Sequence, residues 1–244
     1  MLTTYAKWAQ APQTDEERLI LVENWFTELR ERPKFLVPMF ALMIATAVML
    51  GWYYSAVDFE WLKDHMLSAT PRMNQMTQEQ RDQAMRFMSK PFMIGSGIGG
   101  ALFVIPTMLV IQTLYYWLAG TVTNVKLGFE KWLAIPCWSA LPGVIGIVAG
   151  LVYLLGSGDQ FQIGPNDIQV FSFNSLFFHR TMGEPGYTLL SGLGLTNVWG
   201  WILSIIAVRA FSQRSWAYAT IVVMLPLVLI YGAWSWLAFR VVGV

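Results

Sequence analysis

Charge is what this sequence has least of: 13% of its 244 residues are Asp, Glu, Lys or Arg, about half the ~25% carried by a soluble domain. That density cannot cover a water-facing globule. Cysteine occurs once, at Cys137, so no internal disulfide forms, and with two histidines a Cys/His metal site is excluded too. Cys137 lies in an apolar run, where a thiol acts as a small hydrophobe. Sixteen basic against fifteen acidic residues leave a formal charge of +1, too little of either sign to draw nucleic acid. The start, MLTTYAKWAQAPQTDEER, lacks the basic stretch and apolar core of a cleavable signal, so insertion is expected to begin at the first span. HExxH, GxSxG, CxxC and DxD patterns do not occur.

Apolar residues are abundant, at 55% with a mean hydropathy of +0.47. Crossing a hydrocarbon core of about 30 Å takes about 20 apolar residues in a helix. Five stretches free of Asp, Glu, Lys and Arg are that long: 35–57, 91–125, 132–158, 185–208 and 215–239. They predict an all-α, polytopic membrane protein of five transmembrane helices, at about 35–57, 92–119, 132–156, 194–211 and 215–239. Runs of this length exclude a β-barrel, whose strands alternate over about ten residues. Trp52, Tyr53, Tyr54, Tyr115, Tyr116, Trp117, Trp132 and Trp216 mark the ends of the runs, where an aromatic belt at headgroup depth is expected. Arg209 is expected to snorkel to the interface.

Orientation rests on Lys and Arg alone. With the N-terminus inside, the inner segments hold Lys7, Arg18, Arg30, Arg32, Lys34, Lys126, Lys131, Arg209 and Arg214, nine of the sixteen. The two brief inner connections carry two each, whereas the long 159–184 loop carries one. The reading is N-inside, C-outside.

Residues 1–34 form a separate N-terminal segment ahead of the 35–240 bundle. Within it, Thr14 and Glu17 have capping-box spacing, and Leu19, Val22, Trp25, Phe26 and Leu29 make one apolar stripe. This helix is expected to lie in the membrane interface or to dock on a partner. A second amphipathic helix is expected in TQEQRDQAMRFMSK, opening with Thr77 and Gln80 and gathering Ala84, Met85 and Met88 on one face. The 159–184 loop holds a turn at Gly164-Pro165-Asn166-Asp167 and an apolar run too short to span, expected to be interfacial or re-entrant.

Gly95 and Gly99, and again Gly146 and Gly150, have the GxxxG spacing that lets helix backbones approach in lipid, within a bundle or between protomers. No strand precedes the first pair and no Lys-Ser/Thr follows it, so a phosphate loop is excluded. Pro106, Pro136, Pro142 and Pro226 interrupt three spans and leave open a carrier or channel built on kinked helices, against which no ionisable residue falls at mid-depth. His179 and Arg180 near Asp167 and Glu184 have no Ser, Cys or second His in a catalytic spacing. Gln112, Ser139 and Asn197 are expected to make interhelical hydrogen bonds.

The order of these features resembles the Yip family, membrane proteins named for interaction with Ypt/Rab GTPases. The resemblance is carried by Tyr116, Trp117, Gly120 and Lys126 at the second turn, by Ser139-Ala140-Leu141-Pro142 in the third span, and by Leu195-Thr196-Asn197-Val198-Trp199 opening the fourth. It covers roughly residues 25–240. It implies an N-inside, C-outside helical bundle without enzymatic activity. Lacking a long N-terminal region, the chain is more like the prokaryotic branch, in a bacterial inner membrane. The expected role is non-enzymatic, organising membrane or partner proteins. The expected partners are membrane lipids and other membrane proteins or a homo-oligomer, with no cofactor, metal or nucleic acid.

Overall fold

The computed structural model describes residues 14–68, 77, 79–80, 83, 89–157 and 161–240. Among them there is no strand, only an isolated antiparallel bridge between Ser172 and Gly194. Helix α1, Asp15–Glu31, starts at a capping box in which the Thr14 hydroxyl accepts from the Glu17 N–H at 3.2 Å and the Glu17 carboxylate accepts from the Thr14 N–H at 3.3 Å. Three acids in its first turn and Arg30 in its last complement the helix dipole. Pro33 separates α1 from α2, Leu36–Ala56, which leads into α3, Phe59–Ser68. Then come α4, Lys90–Val122; α5, Phe129–Ser139; α6, Pro142–Gly156; a single π-helical turn, Asn174–Phe178; α7, Tyr187–Gly192; α8, Leu195–Ser212; and α9, Trp216–Arg240.

Five of these segments are long and apolar enough to cross a membrane: Leu36–Ala56, Lys90–Val122, Phe129–Gly156, Leu195–Ser212 and Trp216–Phe239. The third is broken, since α5 ends at Ser139 and α6 begins at Pro142, a proline whose missing N–H is no loss at the first helical position. Pro106 and Pro226, by contrast, sit inside continuous helices. The helix expected around Ala84, Met85 and Met88 lies outside the described residues, although Thr77 and Gln80 do exchange both capping hydrogen bonds.

The bundle has two ends with separate cores. At the near end, Phe26 and Leu29 of α1 pack with Tyr116 of α4, Trp132 and Ile135 of α5, Val208 and Phe211 of α8, and Val222 of α9. At the far end, Tyr53 of α2, Val57 just after it and Leu62 of α3 pack with Leu154 of α6 and with Ile163 and Ile168 of the connecting segment. Helix α8 has 18 residues, about 27 Å at 1.5 Å per residue, and leaves the far end uncovered. The 161–194 segment fills that space: a Cβ on Gly150, midway along α6, would lie 2.7 Å from the Ile168 carbonyl oxygen. Irregular backbone at such depth is tolerated because protein surrounds it.

Several aromatic end-markers are core residues rather than belt residues. Tyr53, Tyr116 and Trp132 are fully buried. The Tyr53 hydroxyl donates to the Ile163 carbonyl at 2.7 Å, and the Trp132 ring lies against Gly120, where a Cβ would be 2.5 Å away. Two helices were not foreseen from periodicity, α3 and α7. The first has a local signal after all, because Asp58 caps it by accepting from the Trp61 N–H at 3.1 Å.

Candidate functional site

One stripe of α1 seats it on the bundle. Phe26 and Leu29 are buried, Val22 and Trp25 are partly buried against the same core, and Leu19, nearer the helix start, is exposed. Three polar or aromatic contacts fix the register. Arg209 near the end of α8 forms an ion pair with Glu23 of α1, both half-buried, while its guanidinium lies 4.2 Å from the centre of the Trp216 ring. The Trp25 ring meets Trp138 edge-on at 4.7 Å. The Trp138 indole N–H donates to the Lys34 carbonyl at 2.7 Å. Arg209 is thus held by a carboxylate of the same chain.

Between α1 and the bundle runs a groove of about 520 Å³, lined by Val22, Trp25, Phe26, Trp138, Leu141, Pro142, Val144, Ile145, Trp199 and Leu203. Every lining side chain is apolar or aromatic. The break between α5 and α6 supplies its floor, and Pro142 sets where that break falls. The fourth span approaches the break closely, since a Cβ on Gly200 would lie 2.8 Å from the Ser139 carbonyl oxygen. Ser139 itself is buried, and its hydroxyl has no hydrogen-bond partner.

The residues singled out from the sequence divide as follows. Val22, Trp25, Phe26, Leu141, Pro142 and Trp199 converge on the groove, and Leu29 and Ser139 lie in the packing around it. Asn197 is elsewhere: its side-chain oxygen accepts from the Gly194 N–H at 2.9 Å, capping α8. Gln112 donates to the Tyr116 hydroxyl of its own helix at 2.9 Å. The expected interhelical hydrogen bonds of Gln112, Ser139 and Asn197 are thus replaced by local ones or by none, because glycines bring these backbones together without them. Gly146 packs on Thr196 and Gly150 on Ile168, whereas a Cβ added at Gly95 or Gly99 would meet nothing within 4 Å. His179 sits exposed with a left-handed backbone, φ 52°, closing the π-helical turn.

A second cavity, of about 310 Å³, lies at the far end between α2, α6, the start of α8 and the 161–194 segment. Thr46, Gln169, Ser172, Thr196 and Asn197 give its otherwise apolar lining a neutral polar share. Among the described residues, no group of three or more His, Cys, Asp or Glu is placed to hold a metal ion. Sequence reasoning missed Glu23, Trp138 and Gly200, and the pairing of Arg209 with Glu23, which build the groove as much as the residues it found. Glu23 and Arg209 lie 186 positions apart in the chain, and no local pattern links them.

Five apolar helices, with an amphipathic sixth clamped along one end, define a polytopic helical membrane protein organised around packing surfaces. The chain belongs to the Yip family: the Yip1 domain matches residues 22–237, from the middle of α1 almost to the end of α9. No curated protein and no solved structure matches it.

Proposed function

We propose that this Yip1-domain protein is a non-enzymatic organiser of membrane or partner proteins, working through the near end of the bundle. The carrying observation is that α1 spends one apolar stripe on its own bundle and turns the rest of its surface outward, with Ile20 and Asn24 exposed. The reading includes a bacterial inner membrane with the near end cytoplasmic, supported by Lys34, Lys126, Lys131, Arg209 and Arg214 gathered there. A photo-crosslinking residue at Ile20 of the full chain, in its own membrane, should give a discrete protein adduct, either a second copy or another membrane protein. The control is Phe103, 78% exposed on α4. An adduct pattern identical to the control overturns the reading.

The far-end cavity favours one other reading, a carrier of a small neutral solute. Its test is flux into vesicles and loss of flux in Gly146→Trp, since Gly146 lines the cavity against Thr196. No protein-dependent flux, or flux unchanged in that variant, rejects it.

A further inference from the structure

The near-end groove has the chemistry of a lipid site. Its lining offers no hydrogen-bonding side chain apart from tryptophan N–H groups, and that of Trp138 is already committed to the Lys34 carbonyl. One wall opens toward the surrounding bilayer: Ile145 is 48% and Trp199 49% exposed. From Ile145 the apolar surface continues along α6 through Val148 and Val152, both exposed, at the i, i+3, i+7 spacing of one helix face. An acyl chain laid there would run from the groove toward the far end without meeting a polar group.

Beyond the groove's lining, the last turn of α1 and the residues after it carry a small excess of positive charge. Arg30 follows Val22 and Phe26 at four-residue steps on the same face of α1, and its Nε is buried without a hydrogen-bond partner. Arg32 and Lys34 follow within four residues, both exposed, and the Lys34 backbone is tied to the groove wall through Trp138. Two exposed acids, Glu28 and Glu31, stand among these three cations and leave a net charge of +1 over residues 28–34. The three acids of α1's first turn, Asp15, Glu16 and Glu17, have no cation but Arg18 beside them and stand about 20 Å away at 1.5 Å per residue. An anionic headgroup is therefore matched by charge beyond one end of the groove and apolar surface at the other. Three tryptophans, Trp25, Trp138 and Trp199, line the passage between them, at the junction where amphipathic rings are favoured.

We infer that the groove between α1, the α5–α6 break and α8 holds one anionic phospholipid, its phosphate toward Arg30, Arg32 and Lys34 and an acyl chain along Ile145, Val148 and Val152. This rests on the near end being the working surface and names the lipid part of what it organises.

The test is native mass spectrometry of the full chain, delipidated in mild detergent and titrated separately with phosphatidylglycerol and phosphatidylcholine. The expected result is a single retained phosphatidylglycerol adduct that phosphatidylcholine does not match. The double variant Arg32→Gln/Lys34→Gln, altered only at exposed side chains, should lose about fivefold in phosphatidylglycerol affinity per charge removed, with phosphatidylcholine binding unchanged. Ile145→Trp, which fills the groove, should abolish the retained adduct while the protein unfolds at the wild-type temperature. Equal binding of the two lipids, or an adduct unaffected by either variant, overturns the proposal. So does a lipid-free dimer that Ile145→Trp converts to monomer, since a second copy would then be the occupant. Purified protein and lipid suffice here, so this result stands apart from the crosslinking at Ile20.

Discussion

The two ends of the bundle are closed by different means. At the near end a helix closes on helices: Phe26, Leu29, Tyr116, Trp132 and Phe211 interdigitate, and the Glu23–Arg209 pair sets the register. At the far end backbone closes on backbone. The Ile168 carbonyl rests on Gly150, the Phe171 carbonyl on Gly194, and the Tyr53 hydroxyl takes the Ile163 carbonyl. Large side chains dominate the first kind of contact, although Gly120 must stay bare beneath Trp132, and bare glycines dominate the second, around the buried Tyr53 side chain. Truncation should therefore weigh most on the near end and enlargement on the far end, with Gly120 and Tyr53 as the exceptions on either side.

The largest effect is expected from truncation. Phe26→Ala should cost about 3–5 kcal/mol, the usual loss for a buried aromatic, and free α1 for tryptic cleavage at Arg18 and Arg30 while α2 to α9 stay protected. Thermal unfolding in detergent with timed proteolysis reads both; an intact, uncleaved α1 would break the contrast. Next is enlargement at the far end. Gly150→Ala forces a methyl to 2.7 Å from the Ile168 carbonyl and should cost about 1–3 kcal/mol, the usual range for overpacking. Gly99→Ala, inside α4 with nothing within 4 Å, should leave the unfolding temperature of the monomer unchanged or slightly raised, since alanine is the better helix former. Similar losses in both would show that glycine position, rather than contact, had been misjudged.

Smaller effects sharpen the electrostatic side. Glu23→Gln should lower near-end stability by about 1 kcal/mol, near the upper end for an ion pair still partly open to solvent. High salt should narrow the difference from wild type; a salt-independent loss would mean packing rather than charge. The smallest effect concerns Asp58, held below the ordinary carboxylate range first by the Trp61 backbone N–H and then by the Gln162 amide. The cap is present above the usual carboxylate pKa and is lost as pH falls through the lowered value. Amide protection in the first turn of α3, taken relative to the intrinsic exchange rate at each pH, should fall only below that point, and Asp58→Ala should show low protection at every pH.

Much of this architecture was legible in charge alone. Gaps between Asp, Glu, Lys and Arg located five apolar helices because a charge inside the hydrocarbon core is too costly to leave unpaired. The Thr14–Glu17 box and the stripe through Val22, Phe26 and Leu29 were readable because helix caps and faces are local patterns. What escaped was long-range. Nothing in the spacing of Tyr53, Tyr116 and Trp132 says that they face inward, since an amphipathic ring suits the core as well as the headgroup layer. The two GxxxG pairs look alike in sequence, yet only Gly146 and Gly150 meet a neighbour in this chain. The groove was half visible: its apolar residues stood out, but the ion pair that positions α1 joins residues from opposite ends of the chain.

The central claim is that α1 is a fixed wall of the groove, and Trp25 against Trp138 is its most direct marker. In a Cys137→Ser background, Trp25→Cys and Trp138→Cys should be joined by a short bifunctional thiol reagent in intact membranes. Thr123→Cys and Tyr218→Cys, whose side-chain oxygens lie 2.8 Å apart in the native protein, form the positive control. Cross-linking of both pairs is the predicted result; a linked control with Trp25→Cys and Trp138→Cys left free would place α1 away from the bundle and contradict the account.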